Sequence, residues 1–211
     1  MMLRVAYREA LEETDGLLRR LGVLLVDALS HSIKALERAD AALAARVISG
    51  ADQTGDLGRR IEASCIELMW KQQPVAGDLR LVTAMYAISS DLQRVNHYIV
   101  DVSKHGVRLE GRPPLRIWGP VRAVADETQA IFQRAVDGYR LRNRDLAQSV
   151  LDDDDRYDDL CGEALRKLQT VVVDDVELIS PATELLFVLT SLQRIGEPSI
   201  SVAWHTAELL D

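Results

Sequence analysis

A heptad pattern of apolar residues between Tyr7 and Leu36 constrains the fold more than any other feature of this sequence. The positions alternate in steps of four and three as far as Ser32, and a last step of four follows: Tyr7, Leu11, Thr14, Leu18, Leu21, Leu25, Ala28, Ser32 and Leu36. Residues at this spacing lie along one side of an α-helix and pack as a and d positions against neighbouring helices. The sequence therefore begins with a predicted long helix packed against other helices.

The rest of the chain also favours helices over strands. Hydrophobic residues make up 47% of the sequence but aromatic residues only 5%, so the core must be aliphatic. Strands favour aromatic and β-branched residues and need frequent turns, whereas this chain has only 12 Gly and 6 Pro. The expected fold class is all-α.

Capping and turn residues divide the chain into six predicted long helices. Asp40 is the expected N-cap of the second helix, which runs to about Lys71 and ends at Gln72-Gln73-Pro74, because Pro disfavours helical geometry in the residue before it. The third helix has Asp78 in its first turn and ends near Glu110. The remaining helices are predicted from about Leu115 to Leu141, from about Arg144 to Thr170, and from Asp174 or Asp175 to Leu210.

The two halves of the sequence resemble each other, which indicates an internal duplication. The segment 91–95 resembles 191–195, and 47–52 resembles 150–155. Gly111-Arg112-Pro113-Pro114 is the clearest linker. The sequence therefore predicts two tandem three-helix repeats, residues 1–110 and 115–211, joined by the linker 111–114. The pattern leaves open whether each repeat is a separate subdomain or both share one core.

Charge and motif content argue against several function classes. A formal net charge of -8 disfavours broad electrostatic binding of nucleic acid, which needs Lys and Arg to displace phosphate counterions. The N-terminus is charged from Arg4 onward and no apolar run reaches the roughly 20 residues of a membrane span, so we expect a cytoplasmic protein without membrane insertion. The sequence contains no phosphate loop, nucleophile elbow or metalloprotease pair, so we do not expect an enzyme.

The segment Leu68–Val82 resembles the signature of the PhoU family of phosphate-uptake regulators, in which a helix ends in Gln-Gln-Pro and the next opens with Asp-Leu-Arg. Asp91–His97 and Leu192–Glu197 resemble that family's Asp-Leu-Glu-Arg-Ile-Gly-Asp element, and the likeness covers essentially the whole chain. The resemblance implies a negative regulator of phosphate uptake and phosphate-starvation signalling. Its implied partners are the ATPase subunit of the phosphate ABC transporter and the sensor histidine kinase. The long apolar seams also make a homodimer an expected assembly.

Some members of this family bind multinuclear metal clusters through Glu-x-x-x-Asp pairs on the third helix of each repeat. Residues at i and i+4 share a helix face, so two carboxylates can meet at one cation. Here Gln93, His97 and Gln193 replace carboxylates and only Glu197 keeps one, so we expect neither a cluster nor another cofactor. A single divalent ion such as zinc, bound by His97, Asp101 and Glu197, is the remaining metal hypothesis. The favoured alternative is that His97 and Gln93 are exposed or hydrogen-bonded groups.

The sequence allows more than one function and more than one role for individual side chains. Besides the regulator, it allows a metal-binding helical protein, a divergent adaptor for another transporter or signalling system, and a structural coiled coil. Trp70 is either a partner contact or a buried anchor. The acidic run 152–159 is expected to be a solvated helix face, and Arg94 and Arg194 are expected to bridge helices.

Overall fold

The computed structural model describes residues 2–72, 74, 77–109, 118–174 and 179–211. Seven helices lie within these ranges: α1 (Met2–Arg38), α2 (Ala41–Gln72), α3 (Gly77–Arg108), α4 (Trp118–Leu141), α5 (Arg144–Leu151), α6 (Asp154–Asp174) and α7 (Ile179–Leu210). No strand occurs in the described ranges, which confirms the all-α class. None of these helices is long and apolar enough to cross a membrane.

The first three helices begin and end close to the residues that the sequence predicts. Asp40 is the N-cap of α2, since its Oδ1 accepts a hydrogen bond from the Leu43 backbone N–H at 2.9 Å. Asp78 lies in the first turn of α3, as predicted. Gln73, Glu110, the linker 111–114, Leu115 and Asp175 lie outside the described residues.

The predicted fifth helix is wrong in one respect, because it is interrupted between Leu151 and Asp154. Aspartate is a poor helix former, and four consecutive aspartates follow Leu151. The carboxylate of the second one, Asp153, is held by two arginine side chains. Arg134 of α4 donates to its Oδ2 at 2.6 Å, and Arg156 donates to its Oδ1 at 3.1 Å. The proposed start of the last helix at Asp174 is also wrong, because that residue still belongs to α6.

The two repeats share one hydrophobic core. The last helices of the two repeats, α3 and α7, pack against each other, and α1 packs against α4. A continuous set of buried side chains runs through both halves and includes Leu25, Ile88, Phe132 and Leu192. The repeats are therefore not separate subdomains, which answers the question that the sequence pattern left open.

The repeats differ where their second and third helices meet. In the first repeat Thr54 donates to the amide oxygen of Asn96 at 2.9 Å. In the second repeat the ring of Tyr157 occupies this place, buried against the backbone of Gly196. A Cβ atom at Gly196 would overlap the ring and lie 2.9 Å from its Cδ1. Only glycine therefore fits at this position while Tyr157 keeps its place.

Candidate functional site

The positions that carry the family motif lie in two separate surface cavities, one on each repeat. Gln93 and His97 of α3 line a cavity of about 440 Å³. Gln193 and Glu197 of α7 line another of about 540 Å³. The duplication thus places equivalent side chains at two sites rather than at one.

In the first cavity the motif positions bind neighbouring side chains. Gln93 donates through Nε2 to Glu62 of α2 at 2.6 Å. This contact depends on Gly58, because a Cβ atom there would lie 2.6 Å from the Cγ of Gln93. The imidazole Nε2 of His97 lies 3.4 Å from the Oδ2 of Asp101, one turn later on the same helix, and the His97 side chain is 69% exposed. These contacts match the expectation of hydrogen-bonded and exposed groups on a helix surface.

The second cavity has more carboxylates. Asp154 and Asp158 of α6 line it together with Glu197 and Arg194 of α7. Burial, together with the charges of Asp158 and Asp155, raises the pKa of Asp154 above its usual value. The Arg194 guanidinium places a positive charge among these carboxylates, which weakens the field that would attract a cation.

The three proposed metal ligands do not come together. His97 and Asp101 are paired on α3, whereas Glu197 lies in the other cavity. Within the described ranges no three His, Cys, Asp or Glu side chains are grouped so that they could hold a metal ion. The single-ion site stays a prediction. Of its three proposed ligands, only His97 and Asp101 lie next to each other.

A buried polar cluster between α3 and α7 was missed by the sequence reasoning. Asp91 is 9% exposed, lies 3.3 Å from Arg94 and interacts electrostatically with Ser201 and His205 of α7. Burial raises the pKa of Asp91 above its usual value, and burial lowers the pKa of the nearby His205. The sequence held one indication that Asp91 is buried: it follows Ile88 by three residues and so lies beside the apolar stripe of the third helix.

Arg94 and Arg194 do not bridge helices as expected. Both are exposed, and Arg94 pairs with Asp91 on its own helix. For four of the six aspartates of the acidic run 152–159 the prediction of a solvated face holds, but Asp153 and Asp154 are partly buried. Cys65 and Cys161 are buried free thiols. The pKa of each thiol is raised to about 11, mainly because burial disfavours the charged thiolate.

The corner between α2 and α3 exposes large apolar side chains. Trp70 is 78% exposed and Ile66, one turn earlier on α2, is 53% exposed. Leu79, in the first turn of α3, is 41% exposed, and Tyr86, two turns further along, is 38% exposed. Trp70 is therefore not a buried anchor, and this surface remains as a candidate contact site.

The fold defines a class: a helical-bundle protein built from a duplicated three-helix unit with one shared core, in which α5 and α6 together take the place of the middle helix of the second copy. Comparison with known proteins gives the family. The family model described as "PhoU domain" matches residues 18–105 and again residues 121–204. The chain belongs to the PhoU family.

Relatives in two bacteria are similar over most of the chain. A protein of Pseudomonas aeruginosa named "Phosphate-specific transport system accessory protein PhoU homolog" is 31% identical over 199 residues, which are 93% of this chain and 82% of the relative. A protein of the same name from Clostridium acetobutylicum is 30% identical over 210 residues, 99% of this chain and 96% of the relative.

Solved structures have the same fold. The crystal structure of PhoU from Pseudomonas aeruginosa matches with a TM-score of 0.92 at 30% identity, covering 96% of this chain and 98% of that one. The phosphate transport system regulatory protein PhoU from Streptococcus pneumoniae matches with a TM-score of 0.86 at 19% identity, covering 96% of each chain. The second likeness concerns the fold alone.

Proposed function

We propose that this chain is a cytoplasmic accessory protein of a phosphate transport system and a negative regulator of phosphate uptake and phosphate-starvation signalling. It acts by contact with the ATPase subunit of the transporter and with the sensor histidine kinase, and it catalyses no reaction. The names of the similar proteins support the phosphate system. The exposed corner around Trp70 supports action by contact.

The exposure of Trp70 is the observation that carries the contact mechanism. An exposed indole can bury roughly 150–250 Å² against a partner, and tryptophan is enriched among the side chains that dominate interface energies. Ile66 lies one helical turn away and extends the apolar surface. A side chain this exposed gives the isolated fold little stability, so its main contribution is expected in a complex.

The test is a pull-down with the tagged chain from native cells grown with and without ample phosphate. We expect the transporter ATPase or the sensor kinase to be recovered in an amount that depends on phosphate. Trp70→Ala should weaken the contact roughly 30-fold, as expected for the loss of an interface side chain worth about 2 kcal/mol.

Trp204→Ala is the control, because Trp204 is also an exposed indole, 51% exposed, but lies on α7. Equal losses in both variants would contradict the assignment of the contact to the α2–α3 corner. Recovery of neither partner under either condition, with both present in the lysate, would reject the proposed partners.

The replaced motif positions favour one second candidate, an adaptor of the same fold that serves another transporter or signalling system. Gln93, His97 and Gln193 stand at positions where the family pattern has carboxylates. Recovery of a different transporter that depends on Trp70 would support this candidate over phosphate control. Light scattering of the purified chain tests the homodimer.

A further inference from the structure

A groove between α1 and the first half of α2 has no role in the proposed function. It encloses about 580 Å³, and apolar side chains form most of its floor. Leu17, Ala28, Val47 and Leu57 are partly buried against the core, and Leu24 is 38% exposed. The lining runs from Leu17 to His31 along α1, about 20 Å at 1.5 Å per residue.

The rim of the groove is positively charged in a chain whose net charge is -8. Arg20, Arg46 and Arg60 line it and are exposed, and Asp27 is the one carboxylate in the described lining. Among the residues that the structure describes, these three arginines form no ion pair, although many other arginines of the chain do. Their charges are therefore available to an external group.

The charges around this groove differ from those at the equivalent place in the second repeat. Residues of α1 and α2 align with residues 103 positions later in the chain, the offset that also aligns 47–52 with 150–155. Side chains at the equivalent place in the second repeat cross from helix to helix. Arg134 of α4 binds Asp153 at 2.6 Å, and Arg156 of α6 binds Glu127 at 2.5 Å.

None of these four bridging charges is present in the first repeat. Leu24 stands in place of Glu127, Gly50 in place of Asp153 and Gln53 in place of Arg156. His31 stands in place of Arg134. The second repeat thus pairs charges across its helices at this place, whereas the first has an apolar floor beside arginines that form no ion pair.

We propose that this groove binds an acidic amphipathic helix of a partner protein. A helix of about four turns matches the length of the groove, and its apolar stripe would pack on the floor. Acidic residues flanking the stripe would pair with Arg20, Arg46 and Arg60 and set the specificity. The proposal concerns a different surface from the Trp70 corner and holds for any partner that offers such a helix.

The experiment measures binding of two labelled 18-residue helical peptides by fluorescence anisotropy at low ionic strength. Both carry the same stripe of leucines, but one has Glu on its flanks and the other has Lys. We expect the Glu peptide to bind at least about tenfold more tightly, because the unpaired arginines attract one peptide and repel the other. Arg20→Glu combined with Arg60→Glu should reverse the preference.

Two further variants distinguish apolar packing on the groove floor from electrostatic attraction by the arginines of the rim. Gly50→Phe should weaken both peptides, since Gly50 lines the groove and a Cβ atom there meets nothing within 4 Å, which leaves the ring free to extend into the groove. Arg8→Glu is the control on α1 for a single charge reversal such as Arg20→Glu, because Arg8 is exposed and does not line the groove. We expect it to leave both affinities nearly unchanged.

Three results would overturn the proposal. Absence of binding by either peptide, or equal affinity for both, would show that the rim does not select acidic helices. An Arg8→Glu effect as large as that of Arg20→Glu alone would show that only the overall charge matters. Light scattering in which the rim variant dissociates a dimer would identify a second copy of the chain as the occupant.

Discussion

Replacing Gly196 by alanine tests the packing that distinguishes the second repeat. The added methyl group would overlap the Cε1 atom of Tyr157 and lie 2.9 Å from Cδ1, whereas carbon atoms in contact prefer about 3.5–4.0 Å. The ring is 1% exposed, and its hydroxyl group is bonded to Thr128 at 2.8 Å and to the Leu192 carbonyl at 2.7 Å. It cannot move away without losing these bonds.

The expected magnitude follows from three contributions. Overpacking a core costs about 1–3 kcal/mol, and weakening two hydrogen bonds adds about 1 kcal/mol. Alanine is the better helix former by about 1 kcal/mol, which offsets part of the loss. We therefore expect Gly196→Ala to lower the free energy of unfolding by about 2 kcal/mol and Tm by about 4–8 °C.

Urea unfolding followed by circular dichroism measures this change. Gly50→Ala is the control, because its Cβ atom meets nothing within 4 Å, and it should stabilise the protein by about 0.5–1 kcal/mol. In a Tyr157→Leu background the added cost of Gly196→Ala should largely disappear, whereas Tyr157→Phe should not relieve it, since the overlapping atoms are ring carbons. A Gly196→Ala protein as stable as the unchanged chain would refute the packing argument.

Three further predictions concern a cap, an ion pair and a titrating side chain. Asp40→Ala should lower the free energy of unfolding by about 1 kcal/mol in urea unfolding, because α2 loses its N-cap; a loss within error would contradict that role. Arg134→Ala should destabilise by about 1–2 kcal/mol in the same assay, since it leaves the partly buried Asp153 without its partner on α4, and an effect no larger than that of Arg8→Ala would argue against the bridge. Burial lowers the pKa of His205, so the folded state binds fewer protons there than the unfolded state; stability present at neutral pH is lost as pH falls below about 6.5, and His205→Gln should reduce the loss of Tm between about pH 7 and pH 5.

The helical fold could be predicted because the features that define it are local. Heptad spacing from Tyr7 to Leu36 and the capping pattern at Asp40 depend on neighbours in sequence, and the structure has α1 and α2 where they indicate. The interruption after Leu151 could not be predicted, because the side chains that bind Asp153 come from α4 as well as from α6. Such contacts between helices leave no periodic signal.

The same limit applies to the candidate sites. The motif showed that Gln93 and His97 depart from the family pattern, but not that Gln93 binds Glu62 or that Glu197 lies in a separate cavity. The exposure of Trp70 depends on what packs around the end of α2, which the residue type does not reveal. The groove of the first repeat likewise depends on which charges cross between helices, and the pairing of those charges in the second repeat is a property of the folded chain.

Deletion of the gene in the source cells tests the proposed regulatory function most directly. The measurement is the rate of phosphate uptake and the expression of a phosphate-starvation reporter in cells grown with ample phosphate. We expect both to rise after deletion, the unchanged chain to restore them, and Trp70→Ala to restore them less well than Trp204→Ala. Uptake and reporter expression that stay the same after deletion would contradict a role in restraining the phosphate response.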